Sequence, residues 1–143
     1  IRALETTKVI DIRSPKAVRP WEHVLEPLSG YMLLAQKMWN APTEYCEGWN
    51  FGPEQDCVLT VWEVATAIRE SFGFGELKDV STPNALHEAN LLMLNINKAK
   101  TRLGWLPRLN AKQAIMLTSD WYKRYKTEDV YELCVEEINK FVG

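Results

Sequence analysis

Long hydrophobic runs, glycine-rich phosphate turns and a surplus of either charge are all missing from this 143-residue sequence. The longest uncharged apolar stretch lies around residues 28–35, well short of the roughly 20 residues that span a bilayer as a helix. No secretory signal pattern opens the chain, so no membrane partner is expected and a cytoplasmic location is. Lys and Arg number 17 against 19 Asp and Glu, a net charge of −2. Nothing there neutralises a run of nucleic-acid phosphates, although a small nucleotide needs only one or two placed cations. The three cysteines, Cys46, Cys57 and Cys134, are odd in number and widely spaced without a CxxC pair. Neither a disulfide framework nor a structural zinc is expected, which suits a reducing compartment.

Reactive groups are equally sparse. The two histidines, His23 and His87, lie far apart and have no metal-ligand spacing with neighbouring carboxylates. No serine or cysteine stands beside a partnered base. The seven glycines never fall into GxGxxG or GxxGxxG order, so no cradle for a dinucleotide pyrophosphate is encoded. Tyr122-Lys123 and Tyr125-Lys126 are adjacent pairs without the spacing of a hydride-transfer tyrosine and lysine. There is no initiator methionine, and Ile1-Arg2-Ala3-Leu4 reads as the last turn of a helix already under way. The expectation is a fragment of a longer protein.

What is present reads as one small α+β domain, mostly helical with three or four short strands. Hydrophobic residues make up 46% and charged residues 25% of the chain, values of a globular domain. A strand is expected at 8–13, where apolar and polar residues alternate with β-branching. A helix follows over 24–39, tolerating Pro27 in its first turn, and then a loop over 41–48. Residues 49–53 read as a short strand. A helix over 60–72 opens on the Thr60/Glu63 capping box and closes at Gly73. A short strand is expected near 77–81, residues 91–96 form a short apolar run, and a short helix over 97–103 stops at Gly104. A long helix over 110–126 opens on Asn110 and Gln113, and a last helix runs from Thr127 to about residue 142. The chain holds six tryptophans; Trp62, Trp105 and Trp121, on helices or at a helix end, are expected in the core.

The densest chemistry lies in the loop after the first strand, with Arg13, Lys16 and Arg19 among prolines. A guanidinium held there presents a planar fork that suits two phosphate oxygens; equally, such a loop arginine is often solvated or salt-bridged. Trp21 either covers a base or sugar or simply packs. His23 reads as a structural hydrogen-bonding residue. His87 and Glu88 belong either to a loop closing over a ligand or to the start of a helix.

Four stretches, in order, resemble one known family. They are VRPWEHVLEPL from Val18, GWNFGP from Gly48, His87-Glu88-Ala89 followed by NKAKTRLGW, and LTSDWY from Leu117. Together they are similar to the substrate domain of extended short-chain dehydrogenases/reductases, and within that family to the CDP-glucose 4,6-dehydratase group. The resemblance implies a carboxy-terminal nucleotide-sugar-binding domain over 1–143, with NAD and the catalytic residues on an amino-terminal Rossmann domain largely absent here. It implies that Arg19 contacts the diphosphate of CDP-glucose or a related nucleotide-sugar, with Trp21 beside it. The strand 9–13, ending at Arg13, lies near the base, and His87 and Glu88 sit on a second ligand-facing loop. It further implies a homo-oligomeric whole enzyme and a chain inactive by itself, whose bared inter-domain surface favours self-association. The sequence departs from the family in lacking an arginine between Asp79 and Leu94, which puts a second phosphate contact in doubt, and in carrying Asn95 where an aspartate is common. Another nucleotide-sugar epimerase or dehydratase, or a non-enzymatic helical interaction module, are the competing readings.

Overall fold

Both capping boxes form as the sequence predicts. In the computed structural model, which describes residues 1–54, 58–82 and 91–143, Thr60 Oγ1 accepts the Glu63 N–H at 3.2 Å while Glu63 Oε2 accepts the Thr60 N–H at 2.7 Å. These reciprocal bonds start helix α4 (Val61–Phe72), which ends at Gly73 with φ +78°. Asn110 and Gln113 exchange the same pair of bonds, each at 2.9 Å, at the start of α5 (Ala111–Arg124). The last helix, α6 (Val130–Val142), begins later than expected. Asp129 Oδ1 accepts the N–H groups of Tyr131 and Glu132 and so sets the start, whereas the Thr127 hydroxyl turns back to the Arg124 carbonyl.

The remaining elements are α1 (Arg2–Thr6), β1 (Val9–Ile12), α2 (Leu25–Asn40), α3 (Pro42–Tyr45), β2 (Glu76–Asp79) and a π-helical turn at Ala99–Leu103. Pro27 sits in the first turn of α2, where its missing N–H has no intrahelical partner to lose. β1 and β2 pair in parallel, Val9 opposite Glu76 through Ile12 opposite Asp79. Among the described residues this is the whole sheet, so the domain is mostly helical around a two-stranded open sheet. The strand expected at 49–53 does not form. Leu91 makes only an isolated bridge to Val18, and 49–53 sends its aromatics into the core instead of pairing in a ladder. The expected loop over 41–48 contains the single turn α3. The expected helix at 97–103 widens into the π turn, where the Trp105 N–H reaches back to the Ala99 carbonyl at 3.1 Å and the indole is carried inward.

That indole anchors the core. Trp105, 4% exposed, meets Phe51 edge-on at 5.0 Å between ring centroids, and Ile96, Ala99 and Leu103 close around them. Phe51 also meets Tyr31 edge-on at 5.4 Å. Beside it Trp49 stacks on Tyr45, with the Lys98 ammonium 4.6 Å above its ring. Glu47 bridges Lys98 and Arg102 and so holds both cations over that indole. Of the other two tryptophans expected inside, Trp121 is half-buried and stacks on Tyr125, but Trp62 is 37% exposed because the first turn of α4 faces outward.

The strongest tie between distant segments is a buried carboxyl. Glu26, 1% exposed, accepts the backbone N–H groups of Arg108 and Leu109 on one oxygen, at 2.8 and 2.6 Å. One turn on, Ser29 Oγ accepts the Trp105 indole N–H at 2.9 Å and donates to the Glu26 carbonyl at 2.7 Å. The Arg108 guanidinium then donates to the Phe141 and Val142 carbonyls, both at 3.1 Å, at the end of α6. No helix among the described residues is long and apolar enough to cross a membrane.

A Cβ at Gly30 would lie 2.3 Å from the Phe51 ring, which the core cannot move aside. Gly30→Ala is therefore expected to destabilise the chain by about 1–3 kcal/mol through overpacking, read as a lower urea midpoint. An unchanged midpoint would show that Phe51 has room to shift.

Candidate functional site

The loop after β1 is a strap between α4 and the chain that enters at residue 91. It turns where the Ala17 N–H meets the Ser14 carbonyl at 3.1 Å. The carbonyls of Ala17 and Pro15 then accept the N–H groups of Val61 and Trp62 at 2.8 and 3.1 Å. Those are first-turn donors of α4, so its N-terminus is closed by this loop and is not left open to an anion. Val18 bridges Thr60 on one side and Leu91 on the other, and its carbonyl accepts the Leu92 N–H at 3.2 Å.

Arg19 is half-buried on this strap. Its Nη1 donates to the Val18 carbonyl at 2.7 Å, and it has further interactions. With Pro53, Glu54 and Met93 it lines a narrow cleft of about 10 Å³, room for about one water. Glu54 across that cleft is paired with Lys100 at 2.7 Å. The Trp21 indole donates to the Leu59 carbonyl at 2.9 Å, which pins the strap to the residues before α4. Arg13 is exposed at the carboxyl end of β1 and is not among the residues lining the cleft. His87 and Glu88 lie outside the described residues. Arg19 and Trp21 thus share one strap, where the Trp21 backbone N–H donates to the Arg19 carbonyl at 2.9 Å, beside the chain just past residue 90.

His23 is buried, and its Nδ1 accepts the Leu25 N–H at 3.4 Å, a structural role. Burial holds its pKa below the ordinary imidazole value. The neutral ring therefore carries its proton on Nε2, which lies 3.9 Å from Glu137 Oε2. These two residues line a second cavity of about 560 Å³ between the start of α2, α5 and α6. Glu22 and Cys134 share its wall. No local motif announces it, since its polar residues come from opposite ends of the chain and only packing unites them. One spacing escapes the adjacent-pair reading: Tyr122 and Lys126 stand four residues apart. Lys126 falls beyond the last residue of α5, however, and pairs with Glu5 at 2.9 Å, so the two do not form a hydride-transfer pair on one helical face.

Burial, and after it the charge of Glu26, pushes the Glu22 carboxyl up to about 7 from an ordinary 4.5. The folded chain holds this proton more tightly than the unfolded chain. The resulting stability is fully present below about 4.5 and is lost as pH rises through about 7. Glu22→Gln is expected to flatten the urea midpoint across that window and to raise it above the parent's at higher pH. A profile identical to the parent's would show that Glu22 ionises freely in the fold.

No protein-family model matches the chain. It is 34% identical over 144 residues to CDP-glucose 4,6-dehydratase of Salmonella typhimurium, an alignment taking in 100% of this chain and 40% of that protein. It is 26% identical over 112 residues to UDP-glucose 4-epimerase 3 of Oryza sativa subsp. japonica, covering 78% of this chain and 29% of the relative. The chain therefore spans less than half the length of either curated relative. The chain is thus similar, at moderate identity, to a CDP-glucose 4,6-dehydratase and, more weakly, to a UDP-glucose 4-epimerase.

Proposed function

We propose that this chain is the nucleotide-sugar-binding portion of an NAD-dependent CDP-glucose 4,6-dehydratase, a lyase converting CDP-glucose to CDP-4-keto-6-deoxyglucose and water. The observation that carries the reading is the 34% identity to such an enzyme along the whole of this chain. The position of Arg19 supports it, on a strap that two hydrogen-bonded neighbours hold in place. Nothing in this sequence fits NAD: there is no glycine-rich turn, and the described sheet has two strands instead of a doubly wound set. The cofactor and the chemical steps are assigned to a Rossmann domain outside these residues, and the chain by itself is proposed to be inactive.

Within this reading Arg19 offers its fork to the diphosphate, exchanging the Val18 carbonyl for phosphate oxygens. Trp21 contributes its ring, since its N–H is engaged by Leu59. Arg13 stands toward the base, and His87 and Glu88 supply the second loop. The whole enzyme is proposed to be a cytoplasmic homo-oligomer. A different nucleotide-sugar is the second reading, favoured by the similarity to a UDP-glucose epimerase.

Two measurements on the whole enzyme test these assignments. Among CDP-, dTDP-, UDP- and GDP-glucose, CDP-glucose is expected to show the highest kcat/KM, and preference for another base would remove the specific name. Arg19→Ala is expected to weaken sugar-nucleotide binding by about 1.5–3 kcal/mol, the range for a hydrogen bond to a charged group. An unchanged dissociation constant would take Arg19 out of the site.

A further inference from the structure

The narrow cleft beside Arg19 carries a charge that works against an anionic ligand. Of the described residues lining it, Arg19 and Glu54 are the charged ones and the rest are apolar. The cleft holds only about 10 Å³, so its walls stand close and a phosphate that engages Arg19 lies beside a carboxylate. Left bare, that carboxylate repels an anion and offsets what the guanidinium offers, because charges interact strongly at short range where water is partly excluded. The sequence has no second arginine between Asp79 and Leu94 to outweigh it.

Lys100 meets that charge. Its ammonium donates to Glu54 Oε1 at 2.7 Å, and both side chains are partly buried. The pair is anchored in the core at both ends. Glu54 comes three residues after Phe51 and Lys100 directly follows Ala99, and Phe51 and Ala99 pack in one cluster with Ile96, Leu103 and Trp105. A Cβ on Gly52 would stand 3.1 Å from the Leu94 side chain, so the 51–54 segment lies hard against the chain leading into the π turn. The turn also sorts its cations. Lys98 and Arg102, four residues apart, both pair with Glu47. Lys100, midway between them in sequence, pairs instead with Glu54.

We propose that Lys100 is a positioning residue for diphosphate recognition: it cancels the charge of Glu54, so that the Arg19 cleft accepts a diphosphate instead of repelling it. The inference rests on the reading of Arg19 as the diphosphate contact. Lys100 acts through Glu54 and does not itself touch the ligand. An ammonium fixed on the carboxylate cancels its charge at a partly buried site, where dissolved salt screens less well than at an open surface.

A double-mutant cycle on the whole enzyme tests this, with CDP and uncharged cytidine as probes and dissociation constants from calorimetry. Lys100→Met is expected to weaken CDP about tenfold at low ionic strength and to leave cytidine unchanged, the loss shrinking in about 0.5 M salt. Glu54→Gln is expected to tighten CDP about threefold, and the double variant to return to within about twofold of the parent. Rescue of a lost cation by removal of a carboxylate separates charge cancellation from two other roles. If Lys100 bonds the phosphates itself, the double variant stays as weak as Lys100→Met. If the pair only holds the fold, Glu54→Gln weakens CDP as Lys100→Met does, and cytidine weakens with it. Either result would overturn the proposal, as would unchanged CDP binding in Lys100→Met. Arg19→Ala separates this inference from the reading beneath it. Lost CDP affinity there, beside an unaffected Lys100→Met, discards the inference alone. CDP binding indifferent to Arg19→Ala discards the diphosphate site and the inference with it.

Discussion

The Glu26 carboxyl is the point on which the rest of this structure depends. It accepts the two successive N–H groups of Arg108 and Leu109 in the turn that leads into α5. A backbone turn buried at that depth without partners would leave donors unsatisfied in a dry interior, and one carboxyl oxygen on α2 satisfies both. The same contact fixes how α2 lies against the 104–110 segment, and through Arg108 it sets where α6 ends. Burial raises the carboxyl's pKa while the two backbone N–H groups lower it; desolvation is the larger effect. The result is a buried acid whose role is to hold backbone, not to react.

This assigns different work to stretches that look alike as motifs. The Leu25–Leu28 part of the family-like VRPWEHVLEPL run and the Gly104–Leu109 part of the closing LGWLPRL run are two halves of one latch, with Ser29 and Trp105 joined beside it. Arg19 differs from them. The strap that carries it is fixed by backbone bonds from Ala17, Pro15 and Val18.

Two side-chain clusters show the same division between satisfied and unsatisfied groups. Around Trp49, cations and carboxylates satisfy one another: Glu47 takes Lys98 and Arg102 while the indole lies under both. Near the start of α2, His23 Nε2 and Glu137 Oε2 stand 3.9 Å apart, and Glu22 Oε2 and Glu137 Oε1 are buried without a hydrogen-bond partner. The first cluster satisfies its charges at the surface; the second leaves two carboxyl oxygens buried without a partner.

Local chemistry was legible in the sequence wherever a few neighbouring residues decide the outcome. Thr60/Glu63 and Asn110/Gln113 start their helices because a side chain three residues on reaches back to the cap, and Gly73 and Gly104 stop theirs because a positive φ costs glycine little. The strand at Val9–Ile12 followed from its alternation. The start of α6 was misplaced by three residues because Thr127 and Asp129 are both capable caps, and only the path of the chain after Arg124 selects Asp129. Residues 49–53 have strand-like composition, but whether an extended segment joins a sheet depends on which backbone lies alongside it. Here Phe51 is drawn to Trp105 and into the groove opened by Gly30. By itself the sequence determined the helices, their caps, the mostly helical class and the candidacy of Arg19. Tertiary structure alone decided that Glu26 meets Arg108 and Leu109, that Phe51 meets Trp105, and that Glu22 and Glu137 line one cavity. Those are contacts between residues far apart in the chain, and no local preference encodes them.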